Sequence, residues 1–393
     1  MQKFYLFFLF MILIGFLPIS PQTWSPPVRI TWNSLASVNP SIACGSGNIV
    51  HLVWMDRTPG NYELFYKRST DGGLTWSAVQ RLTWMAGDTI APQIKADNVG
   101  NVYVAWSDNT SGNAEIYFKK SSNNGMSWTA VQRLSWNTGK SYSPGIGLED
   151  NGNIHVVWYD DSLGNNEIFH RRSTNKETSW SVLHRLTWNS GNSIRPNITS
   201  GSPNKIFIVW QDNLSGRTQI YFKKSTDSGS NWSAVSRLTW TSPDYTYTPK
   251  ITTDTNGNLH LTWLKGWNDE GWFTAQSYGY YKYSINDGTT WSAPVYVMGN
   301  YTFTHEIVTD SNNAIHIISY KEPFWDWSYL EIYYKRSTTG GATWPPVTRM
   351  TYTDGQSSQP SIAVDGNNVI HVVWNRIMGM DPAEIYYKRG TQD

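Results

Sequence analysis

Two stretches of the chain gather side chains that do chemistry together. Residues 265–278 read KGWNDEGWFTAQSY, and residues 321–331 read KEPFWDWSYLE. They hold the tryptophans Trp267, Trp272, Trp325 and Trp327, the cations Lys265 and Lys321, and the carboxylates Asp269, Glu270, Glu322 and Asp326. Between them lies a third group, His305-Glu306, in the string THEI. Indole faces stack on apolar or sugar surfaces, and lysine or arginine pairs with a carboxylate or another anion. Two carboxyl groups roughly 5 to 9.5 Å apart would instead suit hydrolysis of a glycosidic bond, with Glu306, Glu322 and Asp326 as the candidate catalytic residues.

A repeat must position these groups. The unit, clearest over residues 76–128, runs W-S-x-x-x-x-R-L-T-W, then P-x-I-x-x-D, G-N-x-x-H-V-x-W-x-D, G-N-x-E-I-Y-Y-K-[RK]-S and S-x-D-x-G-x-x-W. Its last tryptophan falls at Trp24, Trp76, Trp128, Trp180, Trp232, Trp291 and Trp344, with four intervals of 52 residues followed by 59 and 53. A period of this size marks a solenoid or a propeller. Each unit holds four short apolar or alternating runs, in the first copy around Ser41–Ala43, Ile49–Trp54, Glu63–Lys67 and Ala78–Thr83. Such runs between Gly, Asn, Pro and Asp are antiparallel strands, and four per unit make a propeller blade. No segment has a helical apolar period of useful length. The expected fold is all-β, a seven-bladed propeller. The chain ends on YYKRGTQD, a third strand and half a turn, and QTWSPPVRITW at Gln22–Trp32 supplies the missing half and a fourth strand. Pairing the two would close the ring and remove an open sheet edge.

The two unusual stretches occupy the connection between the second and third strands of units five and six. In the first four units seven residues separate the W-x-D aspartate from the following Glu, as in Asp56 to Glu63; the fifth runs thirteen and the sixth ten. The W-x-D position itself changes sign, from Asp56, Asp108, Asp160 and Asp212 to Lys265, Lys321 and Arg376. Equivalent positions on adjacent blades are expected to converge toward the axis. The expected ligand site is therefore Lys265, Trp267, Trp272, Lys321, Trp325, Trp327, Arg376 and Glu306, taking a glycan or anionic saccharide. The bland alternative is that these loops merely cover the mouth of the ring or pack on each other.

The turn STDGGLTW at Ser69–Trp76, with its copies starting at residues 121, 173, 225, 284 and 337, resembles the Asp-box of the BNR-repeat, sialidase-like propellers. The resemblance covers the chain from Gln22 onward. It implies sialidases, other glycosidases or non-catalytic glycan-binding propellers, with the ligand on the face opposite the boxes. The box itself is structural: Asp71 caps the turn, Gly73 permits a positive φ, and the Asp is replaced by Asn123, Asn175, Asn286 and Thr339, which cannot act as a nucleophile or charged metal ligand. His51, His155, His260, His316 and His371 alternate with Tyr103 and Phe207 at one strand position, which means packing. Arg29, Arg81, Arg133, Arg185, Arg237 and Arg349 recur once per blade, as a framework hydrogen bond or salt bridge would. Sialidases carry an R-I-P motif and usually six blades; here VNP stands at Val38–Pro40 and IRP at Ile194–Pro196 has its Arg one place off. A lectin-like reading is thus placed first, a sialidase-like or other glycoside hydrolase second, and a scaffold or cell-surface interaction propeller third.

Composition adds bounds. Lys3 precedes an apolar run, Phe4–Leu17, too short to span a bilayer and of the form of an export signal, so residues 1–21 are expected to be a signal peptide and 22–393 one domain of a secreted, periplasmic or cell-surface protein. With Cys44 alone no intrachain disulfide forms. A net charge of +1 spread along the chain argues against nucleic acid as a partner. No cofactor or metal is expected, no membrane span after processing, and a monomer.

Overall fold

The computed structural model describes residues 22–175, 179–241, 244–266, 277–300, 302–322, 329–352 and 355–392. The expected signal peptide lies outside them, as do Trp267, Trp272, Trp325, Trp327, Asp269, Glu270 and Asp326. Among the described residues there is no helix, and so none long and apolar enough to cross a membrane.

Seven antiparallel sheets form the ring, as the repeat predicts. In blade one the strands are Ser37–Cys44, Val50–Asp56, Glu63–Ser69 and the short outer Gln80–Arg81. The second strand is buried on both faces in every blade because adjacent blades cover it; Val50, Leu52 and Trp54 are fully buried in blade one. This is why "VHLVW" is nearly continuous in its apolar character rather than alternating. Blade seven is built from both ends of the described chain. Its third strand, Glu384–Gln392, pairs with Val28–Arg29 at Tyr387 and Tyr386, and with Gln22–Trp24 at Gln392, Thr391 and Gly390. Both ends of the seam are thereby hydrogen-bonded into one sheet.

Consecutive blades are joined by an aromatic latch. The third strand of each blade sends a ring into the S-x-D-x-G-x-x-W turn of the next, where it meets the turn's tryptophan edge to face. Tyr66–Trp128, Phe118–Trp180, His170–Trp232, Phe222–Trp291, Tyr281–Trp344, Tyr334–Trp24 and Tyr387–Trp76 all have centroids 5.0–5.6 Å apart. The turn is held open for the ring by its own hydrogen bonds. The Ser69 hydroxyl accepts the Gly73 N–H at 2.8 Å and donates to Asp71, which accepts the Thr75 N–H at 2.9 Å. Gly73 has a φ of +81°, and a Cβ there would lie 1.8 Å from the Tyr387 hydroxyl, so no other residue fits.

The repeated histidines back the latch rather than bind metal. His51, His260, His316 and His371 each share a hydrogen bond of 2.6–2.8 Å through Nδ1 with the latch tyrosine of the same blade. His155 meets His170 instead at 3.0 Å. Burial, and then the Arg68 charge, pull His51 down to about 4, and burial holds His170 well below its ordinary value. The repeated arginines form the expected framework ion pairs: Arg29–Glu384, Arg81–Glu63, Arg133–Glu115, Arg185–Glu167 and Arg349–Glu331, at 2.7–3.0 Å.

Two tests follow from this packing. Trp24→Ala, which opens the latch at the seam, is expected to cost about 3 kcal/mol, and deleting Pro26–Trp32 should cost more; an unchanged denaturation midpoint for the deletion would contradict ring closure. The second concerns acid. A histidine whose folded pKa is depressed contributes stability that is complete above its unfolded value near 6.5 and is lost as pH falls toward the folded one. Stability should therefore decline from pH 6.5 to about 4, where His51 titrates, and His170→Phe, which copies Phe118 of blade two, should flatten that slope in pH-dependent thermal denaturation.

Candidate functional site

The axis of the ring is lined by the innermost strands, and there the repeat is most permissive. In six blades the strand begins x-P-x-I, with Asn39, Ala91, Ser143, Arg195, Thr248 and Gln359 before the proline. All six have φ between +49° and +53°. Proline lacks the N–H that the ladder needs, so pairing skips two residues in each copy, as between Val38 and Ser41. These bulges surround a cavity of 530 Å³, within the range of ordinary small-molecule sites. Its lining reaches Leu264, Ser277 and Tyr320, which flank the two long connections of blades five and six. The cavity thus borders the face opposite the box turns.

Four charged side chains line it: Lys95, Arg195 and Lys250 are basic and Glu306 is acidic. Lys250 and Glu306, on blades five and six, form an ion pair at 2.5 Å, both still partly exposed. Lys95 keeps solvent access at the cavity wall. Burial inside the ring pulls its ammonium below the usual lysine range, with Glu306 opposing that shift and Lys250 adding to it. Burial also lowers Arg195, against the opposing influence of Tyr159 and Tyr247. The cations outnumber the carboxylate by two around this space.

Blade six departs from the repeat at two positions that face each other. His305 replaces the proline, and Ser319 replaces the tryptophan that ends the second strand elsewhere, as Trp54 and Trp263 do. The two are direct cross-strand partners. With an N–H restored, the ladder resumes one residue earlier, and Thr304 leaves the left-handed region that its six counterparts occupy. His305 is buried at the cavity wall, and neither ring nitrogen makes a full hydrogen bond; the Ser319 and Thr262 hydroxyls beside it are buried and unpaired as well. Burial, then the Lys250 charge, bring His305 down to about 3, with the Thr262 backbone partly offsetting them. At neutral pH it is an uncharged imidazole.

The cations expected at the axis are engaged elsewhere. Lys265 pairs with Asp244 at 2.7 Å and lies over Tyr280, Lys321 lies 4.3 Å from the Tyr333 ring, and Arg376 lies over Tyr386. None of the three lines the cavity. The reason is visible in the first four blades, where the W-x-D carboxylate ties down the loop entering its own blade. Asp212 accepts from Asn189 at 2.8 Å, and Asp56 accepts from Ser37 at 2.9 Å. In blade five an ion pair, Lys265 with Asp244, stands where the earlier blades set a carboxylate against a neutral donor. Glu306 does reach the cavity, and Glu322 is buried away from its lining. Lys95, Arg195 and Lys250 were hidden from a search for aberrant loops because they sit in ordinary strands; the signal for them is the inequality of the seven copies at x-P-x-I-x.

No protein-family model and no curated protein sequence matches the chain. Solved structures do resemble it. An ulvan lyase of polysaccharide lyase family 25, bound to -[GlcA(1-4)Rha3S]-, is 10% identical with a TM-score of 0.64 over 90% of this chain and 94% of that one. A protein of unknown function from Dyadobacter fermentans is 14% identical with a TM-score of 0.58, over 96% of this chain and all of that one. The phage phi92 endosialidase is 11% identical with a TM-score of 0.54, over 94% of this chain and 69% of that one. Likenesses at this identity establish the propeller fold.

The blade-six pair can be tested by a double-mutant cycle. Ser319→Trp alone should overpack against His305 and destabilise by about 1–3 kcal/mol. His305→Pro with Ser319→Trp, which restores the pattern of the other blades, should recover most of that loss in urea denaturation, a strongly non-additive outcome.

Proposed function

We propose that the protein binds an anionic saccharide in the axial cavity, as a lectin-like module exported from the cell. The observation that carries this reading is the concentration of Lys95, Arg195 and Lys250 against a single carboxylate around one axial space of 530 Å³, which a bound ligand would empty of water. Removing solvent strengthens each cation's attraction for a carboxylate or sulfate, and Asn39, Thr248 and Gln359 add polar groups for hydroxyls. The ulvan lyase, whose propeller overlays most of this chain, is bound to an acidic, sulfated repeat, which agrees with the class of ligand. Lys265, Lys321 and Arg376, with Trp267, Trp272, Trp325 and Trp327 on the long connections, are assigned to the rim, where a longer saccharide would leave the cavity.

Catalysis is the second reading, favoured by His305. A neutral imidazole beside cations that could neutralise a uronate carboxylate suits proton abstraction in an eliminating lyase. Hydrolysis by paired carboxylates has less support, because Glu306 is the one acid lining the cavity among the described residues and it is paired with Lys250.

Titration calorimetry with uronate-containing and sulfated oligosaccharides, beside uncharged analogues, tests the proposal. Lys95→Gln and Arg195→Gln should each weaken acidic-saccharide binding about tenfold or more, equivalent to about 1.4 kcal/mol. Affinity should fall on the alkaline side at a lower pH than an ordinary lysine would dictate, because the Lys95 ammonium is depressed. Equal affinity for charged and uncharged sugars, or unaltered binding in both variants, would refute an axial anion site. Release of unsaturated uronate products, abolished in His305→Gln, would move the assignment to a lyase.

A further inference from the structure

A second surface stands apart from the axis. The tryptophan of each R-L-[TS]-W segment lies just beyond the outermost strand, and it is exposed whereas the other described tryptophans are buried or half-buried. Trp32, Trp84, Trp136, Trp188 and Trp240 expose 59–70% of their surface, and Tyr352 of blade six exposes 75%. Five of these aromatics lie beside the arginine of their own segment, with the guanidinium carbon 4.6–5.9 Å from the ring centre; Trp136 has Arg171 of the next blade instead, at 5.1 Å. Trp32 and Trp188 each have a second cation from the following blade, Lys67 at 5.8 Å and Lys223 at 5.3 Å. Arg29, Arg81, Arg185 and Arg349 are in turn fixed by buried glutamates, and Arg237 donates to the Thr239 carbonyl at 2.7 Å. Each ring is therefore held in orientation from behind while much of it faces water.

We infer that these six aromatics form a multivalent glycan-binding ring on the periphery of the propeller, independent of the axial cavity. A large exposed indole is costly in water, and here it recurs with the blade period. Polar residues such as Asn33, Asn137, Asn189 and Asp244 follow these aromatics closely along the chain. Indoles followed so closely by amides and carboxylates match the alternating CH faces and hydroxyls of a pyranose; a membrane or a protein partner calls for contiguous apolar area. Their repetition matches a ligand that is itself repetitive. Polysaccharide is the occupant that satisfies both conditions. Each contact is weak alone, and a chain that engages several gains by effective concentration. Blade five lacks the unit altogether, with Tyr296 in place of the arginine and Gly299 in place of the tryptophan. The ring is thus broken beside the blades that carry the long connections.

Affinity electrophoresis of the full chain through gels containing polygalacturonate, xylan or dextran tests the inference, the acidic and neutral polymers separating a charge-assisted site from plain stacking. Retardation by at least one polymer is expected. Single Trp84→Ala, Trp136→Ala and Trp188→Ala variants should weaken it two- to threefold, and the triple variant should weaken it by about a hundredfold. Replacing the same three by Tyr should restore most of the retardation. Lys95→Gln with Arg195→Gln should leave retardation by the neutral polymers, xylan and dextran, unchanged, which separates this ring from the axial site. If the indoles served only to cover the arginines, the triple Ala variant would lower the thermal midpoint while migrating like the parent chain. That result overturns the inference. So would absence of retardation by all three polymers, or loss in the triple variant of co-sedimentation with phosphatidylcholine–phosphatidylserine vesicles while polymer binding persisted.

Discussion

The ring depends on one contact made seven times, a third-strand aromatic packed edge to face on the turn tryptophan of the next blade. An aromatic pair contributes about 0.5–1.5 kcal/mol beyond its buried area, so the latch is modest singly and decisive as a closed circuit. Its geometry explains which turn residues vary. At Gly73 and Gly125 the glycine cannot, because Tyr387 and Tyr66 occupy the space of a side chain there, although the third copy carries Glu177 at this position. The aspartate can, because any acceptor suffices: Asn123 takes the Ser127 N–H, Asn286 takes that of Thr290, and the Thr339 hydroxyl takes that of Thr343. A turn motif that invites a catalytic or metal-binding interpretation is thus a socket for the neighbouring blade.

The same contact explains the seam. With Trp24 on Tyr334 and Tyr387 on Trp76, blade seven is latched on both sides although its strands come from opposite ends of the described chain. The innermost strands close alongside, the Ile42 N–H of blade one donating to the Ser361 hydroxyl of blade seven at 3.3 Å. A closed ring leaves only the short outer strands of the blades as edges, and with one cysteine it is held without an intrachain disulfide. Cys44, the lone cysteine, is correspondingly inert, with burial raising its thiol well above the ordinary value.

The architecture was legible because its determinants are periodic: the tryptophans of the turn, the strand runs and the split seventh unit count the blades directly. The site was less so. Looking for deviation in loop length and charge found Glu306 and His305, which break the x-P-x-I pattern, but placed Lys265, Lys321 and Arg376 at the axis. Sequence register says which residues are equivalent, not which way an equivalent position points. In a propeller blade only the first strand borders the axis, and the W-x-D position ends the second. It faces the loop entering its own blade, so the charge reversal at Lys265 is answered by Asp244. The exposure of Trp32, Trp84, Trp136, Trp188 and Trp240 is illegible for a related reason, since recurrence distinguishes neither burial from exposure nor packing from display.

That distinction gives the bulge residues their meaning. Left-handed φ costs a non-glycine residue about 1–2 kcal/mol, and glycine would remove the cost. Yet glycine stands at none of Asn39, Ala91, Ser143, Arg195, Thr248 and Gln359, and Thr248 is β-branched. The following proline breaks the ladder and enforces the bulge, which frees the residue before it from any pairing requirement on its side chain. Blade six supplies the control, since with His305 in place of proline the bulge moves one residue, to between Thr302 and His305, and Thr304 is no longer left-handed. Strain that is retained in six copies, at positions whose side chains differ in every copy and line one cavity, is not needed to hold the blades together. The latch does that on the opposite face. What the bulges maintain is a set of independently variable side chains around the axis, and Arg195 is the one through which this chain adds a cation to Lys95 and Lys250.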